Sequence, residues 1–204
     1  MTYLVRHPQE IAALTGQHLL LTFGSLAVAL LIALPLGVVA ARDRRFGGPV
    51  LAVLGIIYTI PSLALLAFLV RFLGLGTLTA LVALVAYAQM ILVRNIAAGL
   101  NGVDAAVLDA ATGLGFTPLQ RLLRVEFPLA LPTIVGGIRI ATVSLIAVAT
   151  VASYIHAGGL GDLLFDGIHQ DYPQKIVAGS VAAALLAIAA DTLLRGAERL
   201  ARRR

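Results

Sequence analysis

The chain contains no cysteine and no tryptophan, and only 12% of its 204 residues are charged. Without cysteine there are no disulfides and no thiolate metal ligands. Soluble domains carry about a quarter charged residues, so the same shortage excludes an ordinary soluble fold. Aromatic residues make up only 6%. Within the apolar runs they fall singly, at Phe23, Tyr58, Phe68 and Tyr87, with no evident cage. The four histidines, His7, His18, His156 and His169, lack ligand-like spacing, so no metal site is expected. No G-x-x-x-x-G-K-[ST] phosphate loop occurs, and the chain is not expected to hydrolyse ATP. Gly158-Gly159-Leu160-Gly161 is not a dinucleotide fingerprint either, because no strand precedes it and the spacing fails.

What the chain does have is apolar length. Hydrophobic residues make up 60% of it, and a spanning helix needs about 20 in a row. Candidate spans run over 19–41, 49–72 with Pro61 in the interior, 77–93, 132–154 and 175–194. The expectation is an all-α, polytopic membrane protein of about five spans. An N-terminal segment, 1–18, precedes a membrane domain over 19–204. A removable signal peptide is not expected, because MTYLVRHPQE is mixed in charge and the first apolar run is too long for one.

Basic residues orient the spans. If the loop at 42–48, the stretch 96–131 and the C-terminal tail share one side, that side, with Arg94 at the end of the third run, holds eleven arginines: Arg42, Arg44, Arg45, Arg94, Arg121, Arg124, Arg195, Arg199, Arg202, Arg203 and Arg204. The other side holds only Arg6, Arg71 and Lys175. By the positive-inside rule the N-terminus is outside, and the C-terminus and the 96–131 stretch are cytoplasmic. The arginines flank apolar runs and form no patch with interleaved aromatics, so nucleic acid is not an expected partner. Arg139, two turns into the fourth span, reads as a side chain snorkelling to the interface, with a role in passage as the alternative. Asp191 and Arg195 are spaced for an i,i+4 pair, and the triple-arginine tail reads as topology-setting charge.

The stretch 96–131 interrupts the spans with organised, non-spanning sequence. Asp104 suits a cap for a helix through Asp109-Ala110-Ala111, and Gly113 and Gly115 allow a tight break. Thr117-Pro118 reads as a second helix start. Leu119, Leu122, Leu123 and Phe127 then share one face, with Gln120, Arg121 and Arg124 opposite. Pro128 and Pro132 are expected to close this helix. A helix, glycine break, helix unit suits insertion into a partner's groove, and a merely structural hairpin is the alternative.

At this point the chain resembles a known family. Asp109-Ala110-Ala111, Gly115, Val125, Phe127 and Pro128 reproduce the spacing of the cytoplasmic EAA loop of ABC-importer permeases. Asp109 stands where glutamate is usual, Val125 for isoleucine and Phe127 for leucine. Thr59-Ile60-Pro61-Ser62-Leu63-Ala64-Leu65-Leu66, Leu129-Ala130-Leu131-Pro132 with Gly137-Ile138-Arg139, and Ala157-Gly158-Gly159-Leu160-Gly161-Asp162 resemble the osmoprotectant group, whose cargoes are glycine betaine, carnitine, choline and proline betaine.

The resemblance implies the type I permease fold in a bacterial cytoplasmic membrane, in contact with the lipid bilayer. It implies a coupling helix over about 112–123, drawing on Thr112, Gly113, Phe116, Pro118 and Leu119 and seated in a cleft of a separate ATPase that carries the ATP and magnesium. A second permease subunit, identical or similar, and an extracytoplasmic binding protein are further implied partners. Tyr58, Thr59 and Ser62 beside Pro61 are the candidate pathway residues, since proline bends a helix and frees a carbonyl at membrane depth. A purely structural kink is the alternative there. Gly158, Gly159, Gly161 and Asp162 are candidates for an outer gate or receptor contact, against a simple outer turn. Rival readings are a permease for methionine, another amino acid or ergothioneine, and an ATP-independent channel or secondary transporter. No carboxylate relay, repeat or paired nucleophile and base supports a transporter of the latter kind or an intramembrane enzyme.

Overall fold

The computed structural model describes residues 2–201, which form helices and short turns with no strand. In chain order the helices are α1 (Thr2–Arg6), α2 (Pro8–Arg42), α3 (Arg44–Thr59), α4 (Ser62–Leu73), α5 (Thr77–Asn101), α6 (Ala105–Gly113), α7 (Pro118–Arg121), α8 (Phe127–Ala152), α9 (Gly161–His169) and α10 (Pro173–Ala201). A π-helical turn, Leu122–Glu126, joins α7 to α8, so helical backbone runs unbroken over Pro118–Ile155. The arginine tail at 202–204 lies outside the described residues.

Four helical segments are long and apolar enough to cross a membrane, namely α2, α5, the Pro118–Ile155 run and α10. A fifth candidate is the pair α3 and α4, bent by 95° at Pro61. The run expected over 49–72 is thus broken at the proline in its interior. Proline disfavours helical backbone at the residue before it. Ile60 (ψ 128°) and Pro61 (ψ 134°) are accordingly both extended, and two extended residues in a row turn the chain through a right angle.

Other boundaries differ from the apolar runs in instructive ways. Helix α2 starts at Pro8, well before residue 19, and its 35 residues measure about 50 Å at the helical rise. A bilayer core is only about 30 Å thick, so the helix is longer than an untilted crossing requires. Helix α5 continues past Arg94-Asn95 to Asn101. Asn95 donates from Nδ2 to the Ile91 carbonyl at 2.8 Å, which keeps its side chain on its own helix.

Helix α5 is the centre of the bundle, and α2, α3, α4 and α8 all pack on it. Lipid tails are as apolar as leucine, so packing between helices relies on close approach. The contact surfaces are correspondingly small: Ala29, Ala33 and Gly37 on α2 face α5, and a Cβ on Gly37 would collide with Ile96. At the α5–α8 contact, a Cβ on Gly137 would collide with Asn95. Gln89, buried in α5, donates to the Ala29 carbonyl of α2 at 3.1 Å. Helix α10 packs on α8 and α9.

Candidate functional site

Three places concentrate polar and special backbone chemistry: the loop between α5 and α8, the break between α3 and α4, and the glycine turn before α9.

The loop opens with Asp104, whose Oδ1 accepts from the Ala106 N–H at 2.9 Å and caps α6. Helix α6 ends in a Schellman turn. Phe116 N–H donates to the Ala111 carbonyl at 3.1 Å and Gly115 N–H to Thr112 at 2.9 Å, the two bonds that define that motif. Gly115 sits at φ +82°, a conformation that glycine alone adopts without strain. Gly113 has ordinary backbone and open space around it, so Gly115 alone makes the break. Thr117 then starts α7 with a capping box: its Oγ1 accepts from Gln120 N–H at 3.3 Å, and Gln120 Oε1 accepts from Thr117 N–H at 2.9 Å. The expected helix, glycine break, helix unit is present, and the stretch 112–123 spans the break, from the end of α6 at Gly113 to the start of α7 at Pro118.

Pro128 and Pro132 do not close the second helix. Pro128 cannot donate to Arg124, and the backbone widens instead. Phe127 N–H reaches back five residues to the Leu122 carbonyl, a π turn that absorbs the missing bond. The loop helix thereby becomes continuous with the fourth span.

The π turn buries Glu126 to 2% exposure between two guanidinium groups. Arg42, at the end of α2, lies 2.8 Å from its Oε2, and Arg121 Nε lies 3.0 Å from its Oε1. Arg121 Nη1 also donates to Thr112 Oγ1 of α6 at 3.2 Å. One carboxylate thus ties α2, α6, α7 and α8 together. Sequence reasoning placed Arg121 on a solvent face and passed over Glu126. Their i,i+5 spacing suits a π turn and no ordinary helix. Asp109 and Ala110 are exposed, Ala111 is buried, and Asp109 has no ion pair among the described residues. Leu114 (78% exposed), Leu119 and Leu123 stand out from the loop, with Phe116 and Val125 half-buried beside them and Pro128 exposed.

At the α3–α4 break, a cavity of about 310 Å³ is lined by Tyr58 to Ser62, by Tyr87 and Ala88 of α5, and by Ala141, Ser144, Leu145 and Val148 of α8. Tyr58 and Tyr87 are not isolated, as their spacing in sequence suggests. Their rings meet edge to face at 6.0 Å. The Tyr87 hydroxyl donates to the Ile60 carbonyl exposed by the break. Thr59 turns its hydroxyl back onto the Ile56 carbonyl at 2.7 Å, so of the predicted hydroxyls here it is already engaged.

The glycine turn is packed against α2. Gly158 and Gly159 have φ of +80° and +95°. Gly159 N–H donates to Gln17 Oε1 at 3.2 Å, and Leu160 N–H donates to His18 Nδ1 at 3.3 Å. His18 is fully buried. Its Nε2 lies 3.1 Å from the Ile146 carbonyl, so the proton sits on Nε2. A Cβ on Gly161 would collide with the Thr150 carbonyl oxygen. Asp162 opens α9 and, with Tyr154, His156, Phe165, Asp166 and His169, lines a cavity of about 390 Å³. Burial, and then the charge of Asp166, push the Asp162 carboxyl above the usual range, against smaller opposing effects from Ser153, His156 and Lys175. Lys175 pairs with Asp166 at 3.0 Å.

Arg139 does not snorkel free. It faces α10, with Asp191 at 3.5 Å and Glu198 at 3.6 Å, and Asp191 also holds Arg195 at 2.7 Å as its spacing implies. No group of three or more histidine, aspartate or glutamate side chains that could hold a metal occurs among the described residues.

Comparisons with known proteins agree on one family. Residues 33–204 match the family described as "Binding-protein-dependent transport system inner membrane component". The chain is 39% identical to the glycine betaine/carnitine/choline transport system permease protein OpuCB of Bacillus subtilis, covering 98% of this chain and 92% of that one. It is 40% identical to the choline transport system permease protein OpuBB of the same organism, covering 97% and 91%. In fold it is similar to a chain of the MetNI methionine ABC transporter in an inward-facing conformation, with a TM-score of 0.86 over 96% of this chain and 98% of that one, at 23% identity.

Proposed function

The chain belongs to the binding-protein-dependent transport system inner membrane component family, and on that premise we propose that it is the pathway-forming permease of an ATP-driven importer for quaternary-amine osmoprotectants. Glycine betaine, choline, carnitine and proline betaine are the cargo class, in line with the names of relatives about 40% identical over nearly the whole chain. The chain is a multi-pass membrane subunit and not the ATPase of its system. A cytoplasmic ATPase pair supplies ATP and magnesium chemistry, and a second permease subunit completes the pathway. An extracytoplasmic binding protein delivers the cargo. The N-terminus faces outside and the loop faces the cytoplasm, following the arginine asymmetry.

The observation that carries the coupling role is the Glu126 clamp. A loop that only capped the bundle would need no buried carboxylate joining it to two spans. Through Arg121 and Arg42, a displacement of α6 and α7 is felt at once by the end of α2 and the start of α8. The exposed leucines around the Gly115 hinge give the ATPase an apolar surface to grip. Nucleotide-driven closure of the ATPases then moves two such loops together and biases the spans between inward-open and outward-open arrangements. At the break, Tyr58, Pro61 and Ser62 line the pathway, and the surface around Gly158 and Asp162 meets the binding protein.

The test is assembly. With Phe116→Asp and Leu119→Asp combined, the permease stays folded but no longer co-purifies with its ATPase, and cargo-stimulated ATP hydrolysis disappears. A variant complex that assembles and couples normally overturns the docking role.

A further inference from the structure

We propose that the cavity at the α3–α4 break is a binding site for a small zwitterion bearing a quaternary ammonium group, a reading that rests on the importer function above. Two aromatic rings at right angles form one wall, with centroids 6.0 Å apart and planes at 73°. Tyr87 is 7% exposed and its hydroxyl is engaged by Ile60, so its ring is held in place. Tyr58 is 44% exposed and presents its ring to the open side. A quaternary ammonium spreads its charge over methyl groups that cannot donate hydrogen bonds. It is recognised by aromatic faces and apolar walls, which Ala88, Ala141, Leu145 and Val148 supply.

Among the described residues no charged side chain lines the cavity, and such a neutral lining matches a ligand of zero net charge. The second half of a zwitterion also has a counterpart. Helix α4, 12 residues long, begins at Ser62 on the cavity wall, and Pro61 before it provides no side-chain cap. The N–H groups of its first turn have no helical acceptors, and the positive end of the helix dipole favours a carboxylate there. A broken span with a half-helix N-terminus aimed at the ligand is a recurring way to hold an anionic group at membrane depth. The volume, about 310 Å³, lies at the small end of ligand sites, which run from about 300 Å³ upward. Glycine betaine engages both halves; choline, with no carboxylate, engages only the aromatic half.

The experiment uses the permease with its ATPase and binding protein, reconstituted in liposomes, with radiolabelled glycine betaine and radiolabelled choline as probes. Tyr58→Leu lowers uptake of both probes about tenfold, and Tyr58→Phe, which keeps the aromatic face, lowers it by less than Tyr58→Leu does. Ser62→Pro removes one first-turn N–H at a position where proline suits a helix. It lowers glycine betaine uptake about fivefold relative to choline, while Ser62→Ala leaves that ratio unchanged. Normal uptake of both probes that Tyr58→Leu and Ser62→Pro leave unaltered overturns the site alone. Failure of the unaltered complex to take up either probe overturns the importer's cargo class and the site with it.

Discussion

At the loop end of the bundle the helices are tied by charge, through Arg42, Glu126 and Arg121 on one side and Arg139, Asp191 and Glu198 on the other. At the glycine end α2 is tied to the turn by neutral hydrogen bonds that Gln17 and His18 accept from successive backbone N–H groups, and by contacts that leave no room for a Cβ, with an ion pair, Lys175–Asp166, between α10 and α9. The two kinds of tie respond differently to displacement. Coulomb energy falls off as the inverse of distance, so an ion pair stretched by an ångström still holds. Hydrogen bonds weaken steeply with misalignment, and close-packed contacts do not yield without strain. By these distance dependences the loop end tolerates a displacement with less loss of contact than the glycine end does.

Substitutions that exchange these properties test the comparison. The largest effect belongs to Gly161→Ala, which drives a methyl into the Thr150 carbonyl and the Ser153 side chain. Overpacking of this kind costs about 2–3 kcal/mol. It is read as a lower unfolding temperature of the purified permease, and an unchanged temperature would show that the glycine end is not rigid. Glu126→Gln comes next. It keeps the shape but removes the charge that holds two arginines, at a cost of about 1–2 kcal/mol. ATPase docking persists while transport per ATP falls. Wild-type coupling in this variant would reduce the clamp to a local staple.

The smallest effect is at Asp162, and it has the opposite sign. Its carboxyl is held above the ordinary range by burial and by Asp166, so the folded protein binds that proton more tightly than the unfolded chain. The stability this lends is fully present below the ordinary aspartate range and is lost as pH rises through the elevated value. Asp162→Asn should therefore unfold at a slightly higher temperature than the parent near neutral pH, with the advantage vanishing toward about pH 4. An advantage that grew on acidification would reverse the assignment. Removing an acid thus loosens the loop end and tightens the glycine end.

The parts of this architecture legible in sequence are those set by local chemistry. Asp104, Gly115, Thr117 and Pro118 act within one or two turns of themselves, and each caps or turns the chain as its residue type requires. Apolar length likewise reveals the spans, because a bilayer-spanning backbone must bond to itself. Features that depend on distant partners were hidden. Arg42 and Glu126 are 84 residues apart, Tyr58 on α3 meets Tyr87 on α5, and Arg139 faces acids on α10. Pro128 shows the limit most clearly. A proline commonly ends a helix, but it does so only if the backbone has no cheaper response, and here a π turn provides one.

That π turn also has a geometric consequence. Fitting one extra residue into a helical circuit advances the azimuth of everything beyond it by about 100° relative to an unbroken α-helix. The helix over Pro118–Ile155 thus behaves as two shafts joined out of phase. Loop and span are indexed to each other by that offset, so converting the turn to ordinary α-helix would swivel the exposed leucines around the axis by that angle while sliding them only about 1.5 Å along it. The joint between the loop and the fourth span is chiefly a rotary one.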